Sequence, residues 1–333
     1  MHGISHPLRL HLLRIVLLIL LAVAPLLPRE AAAQPAPAVC TIGASVESLY
    51  DLDMARDTLG ATLWLWTLCP SSLPRPVLET IEFPSAGSLS REQIEVTDLG
   101  DGRVYASQRL QGTFRFNWRM GAYPFDRQRV VIPFDETEFG ADRLVFEADT
   151  DASFLSQTVQ SALTEWNVSD FALTTGLGEA ESSYGVPLAE TREFAAAEIA
   201  FTLDRTSLGP FLKLTSGVVA AAFIAFFSFF YDPNDKGTFG GRLGLLVGVL
   251  FAVLVNMRAA DTVLGDVGDM TLVTQIHLLT LAYVVLLALL ALRDRLHADA
   301  GHELPHPHWR RLSLIGGSYL LFVALLMLRA VLA

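Results

Sequence analysis

Four histidines and a glutamate, all able to ligate a metal, crowd into one stretch, HADAGHELPHPHW: His297, His302, Glu303, His306 and His308. Imidazoles at such spacing suit Zn, Ni or Cu. Two prolines and the lack of a cysteine favour a plain linker, so His302, His306 and His308 stand only as metal candidates and no cofactor is expected. Cys40 and Cys69 are too few for a disulfide scaffold or an all-cysteine zinc site, though enough for one bridge. Between Val39 and Arg205 there is no GxSxG, no HExxH and no glycine-rich phosphate loop. An enzyme is therefore not expected.

The elements that carry these residues divide the chain in two. Of its 333 residues 52% are hydrophobic and only 18% charged, and the shortage of charge falls mostly in the last third. A soluble domain has nearer a quarter charged. The formal net charge is −11, and lysine occurs only as Lys213 and Lys236, so a nucleic-acid partner is excluded by the lack of clustered cations to neutralise phosphate. Residues 1–33 combine Arg9 and Arg14, an apolar run from Ile15 to Leu27 and the small-residue end Ala31-Ala32-Ala33. This is the pattern of a secretory signal peptide, and the run is shorter than the ~20 residues of a membrane span. A short Pro/Ala linker, residues 34–38, follows.

Residues 39–205 alternate short β-rich runs with turn residues: TIGASVESLY, TLGATLWLWTL, RVYASQRLQGTFRFNW, RQRVVIPF, DRLVFEAD, EWNVSDFALTT and EFAAAEIAFTLD. Strands at this spacing predict an all-β, antiparallel, immunoglobulin-like sandwich. Residues 154–163 read as a helical turn. The region holds 26 acidic against 12 basic side chains, so the acidity of the protein is a property of this exported part. A hairpin centred between Met54 and Ala55 sets Cys40 opposite Cys69, because partners in an antiparallel pair lie equally far from its centre. Export permits the bridge.

Residues 206–333 change period. Four apolar segments, about 211–231, 239–257, 272–292 and 312–332, are each long enough to cross a bilayer as a helix. Soluble helices would need a polar face, and these have none. With the β region outside, the first and third connections lie in the cytoplasm and carry Lys236, Arg293, Arg295, Arg310 and Arg311, whereas the second carries Asp261, Asp266 and Asp269. That bias matches the positive-inside rule. The localisation expected is a multi-pass protein of a cell inner membrane, with its N-terminal domain in the periplasm.

The segment WRMGAYPFDRQRVVI, residues 118–132, resembles the signature loop of pentameric ligand-gated ion channels, the Cys-loop receptor family. Phe116 and Val130 stand where animal receptors have the loop's two cysteines, as in the cysteine-free prokaryotic branch. The order of parts resembles the family as well: exported β domain, this loop, Arg205 before the first span, then four spans. YDLDMARDT is similar to the first hairpin turn of prokaryotic members, and GGRLGL to the start of their pore helix.

The resemblance implies a homopentamer, opened by a periplasmic small-molecule ligand or by protons, that passes monovalent ions across the lipid bilayer. It couples Asp126 and Arg205 to an acid of the first hairpin turn, Asp53 or Asp57. Asp126 as a simple turn cap is the competing reading. It puts Gly244, Gly248, Phe251 and Val255 on the pore wall, with Arg242 and Arg258 near the pore ends. Gly240, Gly244 and Gly248 also fit a helix-packing stripe. Gly240-Gly241-Arg242 matches neither inner-mouth pattern of the family, Glu before the basic residue or Pro-Ala, so no ion sign is assigned. Trp64, Tyr184 and Phe194 are the ligand-site aromatics, against a plain core role for each; Trp166 is read as core. The glycines and Phe251 of the second span favour the alternative, a non-conducting sensor of the same architecture.

Overall fold

The structure is a computed structural model that describes residues 36–179, 193–232, 234–265, 270–302 and 309–332. The expected leader 1–33, Tyr184, His306 and His308 lie outside the described residues. Among the described residues eleven strands precede the long helices: β1 Ala38–Asp53, β2 Thr58–Pro70, β3 Ile81–Glu82, β4 Ala86–Arg91, β5 Glu95–Asp98, β6 Arg103–Arg115, β7 Arg127–Gly140, β8 Leu144–Ala148, β9 Phe154–Leu155, β10 Trp166–Glu179 and β11 Glu193–Arg205. A short helix, α1 Gln157–Ala162, separates β9 from β10 and is capped by the Ser156 hydroxyl accepting from Thr158 N–H.

The strands form two sheets. One has the order β4-β6-β2-β1-β8, with β5 beside β6 and β9 beside β1; the other is β10-β11-β7-β3. Alternate residues of the long strands are buried, as in Ala61, Leu63 and Leu65 on β2 and Val130, Ile132 and Phe134 on β7, and both sheets contribute to one apolar core. The expectation of a purely antiparallel domain needs one correction: β8 and β9 pair with β1 in parallel. Both are short strands reached after long excursions of the chain, which a hairpin reading does not anticipate.

The first hairpin turns one residue later than expected, with Asp53↔Thr58 its first pair. Two bulges on β1, at Val46/Ser48 and Tyr50/Asp53, absorb the difference, so Thr41 still faces Leu68. One step further, Cys40 and Cys69 are joined by a disulfide with Cα atoms 4.4 Å apart. Their separation of 29 residues gives a loop-closure stabilisation of about 3–4 kcal/mol. Cys40→Ser is therefore expected to cost about that much, read by thermal or denaturant unfolding. Mass spectrometry of unreduced, exported protein should show no free thiol; two alkylatable cysteines would contradict the bridge.

Four long helices follow: α2 Gly209–Phe227, continued by a turn of tighter helix over Ser228–Phe230, α3 Lys236–Leu264, α4 Leu272–Asp299 and α5 Trp309–Leu332. All four are long and apolar enough to cross a membrane, which makes this a multi-pass membrane protein with a sheet-rich N-terminal domain. Helices α3 and α4 run past the apolar segments that announce them, because caps and not hydropathy end them. Asp235 caps α3 by accepting from Gly237 N–H at 2.8 Å, and α3 stops only at Gly265, whose φ of 79° favours glycine. Thr271 caps α4 by accepting from Thr274 N–H. α3 packs on α2 and α4, while α5 rests mainly on α4.

Candidate functional site

A buried polar cluster lies where the strands meet the helices. Arg205 ends β11, and Asp126 immediately precedes β7, its neighbour in the sheet. The ladder continues into the pair: Arg205 N–H faces Asp126 C=O at 3.4 Å, while the guanidinium grips the carboxylate twice, Nε to Oδ1 at 2.7 Å and Nη2 to Oδ2 at 3.2 Å. Each side chain is 1% exposed. A pair this dry survives only if its remaining hydrogen-bonding capacity is met. Gln128 Nε2 donates to Asp126 Oδ2 at 2.8 Å and is itself fixed by the Arg119 backbone.

The guanidinium is held on its faces by aromatic rings. Its carbon lies 4.0 Å from the ring centre of Trp166, the cross-strand partner of Arg205, and 4.7 Å from that of Tyr123. Both contacts are cation–π in kind. Burial pushes the Tyr123 phenol above its usual range, with the nearby Arg205 charge opposing, so it remains a neutral ring. Asp126 is thus more than a turn cap: it anchors a boxed cation.

The first hairpin turn reaches the cluster through a residue that sequence reasoning missed. Arg205 Nη2 lies 3.5 Å from Met54 Sδ. The two acids proposed for that role are engaged elsewhere: Asp53 accepts from Arg56 N–H at 3.0 Å and pairs with its guanidinium at 3.4 Å, and Asp57 is an exposed turn residue with φ 52°. A tight turn aims its carboxylates at its own backbone, which leaves the apolar tip residue to point away. The next residue closes a second contact. A Cβ on Gly265 would come within 2.7 Å of Ala55 Cα and 3.2 Å of Met54 O, so the turn rests directly on the backbone at the end of α3. Tyr123 stands 6.3 Å, ring to ring, from Phe211 at the start of α2. Two β-domain segments, the first hairpin turn and the loop before β7, therefore touch two helices beside one buried cation.

Along α3 the residues fall on two faces. Arg242, Leu246, Val249, Val253, Ala260 and Leu264 are buried against the bundle, while Phe251 is 62% and Val255 68% exposed. Gly244, Gly248 and Arg258 share the exposed side, and Gly240, Gly244 and Gly248 have open space where a Cβ would stand. Arg242 departs from the expected pore wall. It is 3% exposed, with its guanidinium 4.9 Å over the Phe229 ring and its Nε and Nη2 without hydrogen-bond partners among the described residues. The reason is helical geometry, since two residues before Gly244 means a rotation of about 200° at 3.6 residues per turn.

The aromatic candidates separate. Trp64 lies on the outer side of β2 beside Arg109, which bridges Glu47 and Glu92, whereas Phe194 opens β11 in the other sheet. Among the described residues nothing within one chain brings them together. Near the Phe194 end of its sheet, Glu82 and Asp135 face each other across β3 and β7. Burial, and then the Glu82 charge, push the Asp135 carboxyl up. Neighbouring Glu136 is fully buried and also raised by burial, although both its oxygens accept backbone N–H groups, from Glu138 at 2.9 Å and Phe139 at 2.6 Å. A group whose folded pKa is raised adds stability below its unfolded pKa and loses it as pH climbs through the folded value. Asp135→Asn should accordingly raise Tm at pH 7 and match the wild type near pH 3, where the native carboxyl is protonated; equal Tm values at both would contradict the shift.

His302 is exposed just past the end of α4, with its ring 6.3 Å from His297, and no group of three or more metal-ligating residues occurs among the described residues. Strands and helices thus define the class, a multi-pass membrane protein whose sheet-rich domain holds a buried ion pair close to its contacts with the helices. No protein-family model matches the sequence, and no curated protein does.

Proposed function

We propose that the chain is a subunit of a homopentameric ligand-gated ion channel of the Cys-loop receptor type. Its β domain is an immunoglobulin-like sandwich in the periplasm, its helices span the inner membrane, and α3 lines the pore for monovalent ions. The observation that carries this reading is the Arg205–Asp126 pair, reached by the β1–β2 turn that also rests on Gly265. Such a joint passes a small movement of the sheets to the end of α3, because a packed, dry contact shifts between discrete arrangements and does not deform smoothly. Assembly into a ring is supported by Trp64 and Phe194 lying on different sheets, since only a second copy can join them in one site. The exposed face of α3 supports it too. A proton as the opening signal finds support in the raised carboxyls of Asp135 and Glu136.

A second reading, a sensor of the same architecture that passes no ions, is favoured by one feature. The exposed face of α3 runs from bare glycine to Phe251 without a hydroxyl to solvate an ion. Current recording from purified protein in planar bilayers, across pH and a panel of small amines, separates the two readings.

A further inference from the structure

We propose that the ion passed is a small inorganic anion such as chloride, and that Arg258 on α3 selects it. The assignment rests on the reading of α3 as the pore helix. At 3.6 residues per turn, a step of seven residues rotates the chain by about 700°, within about 20° of two full turns. Gly244, Phe251 and Arg258 therefore share one line along the helix. All three are exposed, Phe251 to 62%, and Val255 beside them is 68% exposed. At 1.5 Å per residue, Arg258 stands about 10 Å beyond Phe251, toward the end of α3 that meets the β domain at Gly265.

The other charged residues of α3 lie off that line. Lys236 opens the helix at its far end, and Arg242 is buried against the Phe229 ring. Asp261 is half-buried, three residues on and so about 60° round the helix from Arg258. The Arg258 side chain makes no ion pair or hydrogen bond among the described residues, whereas Arg295 has Asp299 and Arg311 has Asp294. A guanidinium on a membrane helix is costly until it finds a counter-charge, so Arg258 takes one from outside its own chain. Five such groups on the wall of a ring repel cations and concentrate anions, which is how rings of Arg or Lys select. The rest of the wall has no group to favour a cation, since no residue from 239 to 257 carries a hydroxyl or a carboxylate. The acidity of the β domain does not cancel the ring. Charges exposed to water are screened over about 8 Å at physiological salt, while those on the wall of a narrow pore act at a lower effective dielectric.

The test is the reversal potential of the full-length protein in planar bilayers between concentrated and dilute NaCl, under a condition that opens the wild type, with Phe251→Ala recorded beside it as a leaking background. The reversal should fall near the chloride equilibrium, with chloride preferred to sodium by about tenfold or more. Arg258→Lys should keep that preference. Arg258→Gln should lower it about tenfold, and its loss of chloride current should be greater in dilute than in concentrated salt, because screening already hides the ring at high salt. Arg258→Glu should turn the preference toward sodium. Lys213→Gln, which removes an exposed cation from α2, should leave it unchanged. A reversal at the sodium equilibrium, a chloride preference unchanged in Arg258→Gln, or an equal loss in Lys213→Gln would overturn the assignment and leave the channel standing. Silence of the wild type and of Phe251→Ala alike would overturn the channel reading, and the assignment with it.

Discussion

Arg205→Ala is expected to abolish the response to any stimulus that opens the wild-type protein, and to destabilise the fold by about 3–5 kcal/mol. The substitution strips a guanidinium from between Trp166 and Tyr123 and leaves Asp126 as a buried carboxylate with only Gln128 as its side-chain partner. It also breaks the contact with Met54, the route from the first hairpin turn. Arg205→Lys should rescue part of the stability but little of the response, since an ammonium cannot grip both carboxylate oxygens or stack in the box as a guanidinium does. Asp126→Ala alone should be comparably harmful. The double variant should lose less than the two single losses added together, by about 0.5–3 kcal/mol, the range for residues in contact. Strict additivity in denaturant unfolding would show that the pair is not a coupled unit.

Phe251→Ala should have the largest effect on ion flow. Phe251 is the bulkiest exposed side chain midway along α3, level with neither helix end and opposite the buried Val249 and Val253 face. Five such rings facing a common axis would form a dry constriction, and hydrophobic constrictions gate by excluding water. Truncation lowers the cost of wetting, so the variant should leak current without a stimulus or respond to a weaker one. If Phe251 instead packs against a neighbouring helix in the assembly, truncation leaves a cavity, weakens the oligomer by about 3–5 kcal/mol and yields no current. Size-exclusion profile and recording on one preparation tell the outcomes apart.

The long strands and the four spans were legible because each carries its period in its own residues: alternation on β2, β6 and β7, unbroken apolar length in the helices. Strands β3 and β9 are two residues each and β5 is exposed throughout, so neither length nor alternation announces them. The ion pair was legible from charge type and position at the junction. Its surroundings were not. Trp166 is core, as expected, but its place over the guanidinium depends on the β10–β11 register, which pairs it with Arg205 after a shift between Ser169 and Ala172. Met54 carries no charge to mark it beside Asp53 and Asp57, and the tip of a turn that touches another element is set by backbone shape. Arg242 was placed on the pore by its position near the inner mouth, a one-dimensional argument that the rotation of α3 corrects.

Current from the purified wild-type protein tests the central claim most directly. Reconstituted in planar bilayers and stepped through pH and a panel of small amines, the protein should carry current under at least one condition, and Arg205→Ala should stay silent under that same condition. A stable wild-type pentamer that passes no current under any of them, with Phe251→Ala equally silent, would contradict the channel and leave the non-conducting sensor.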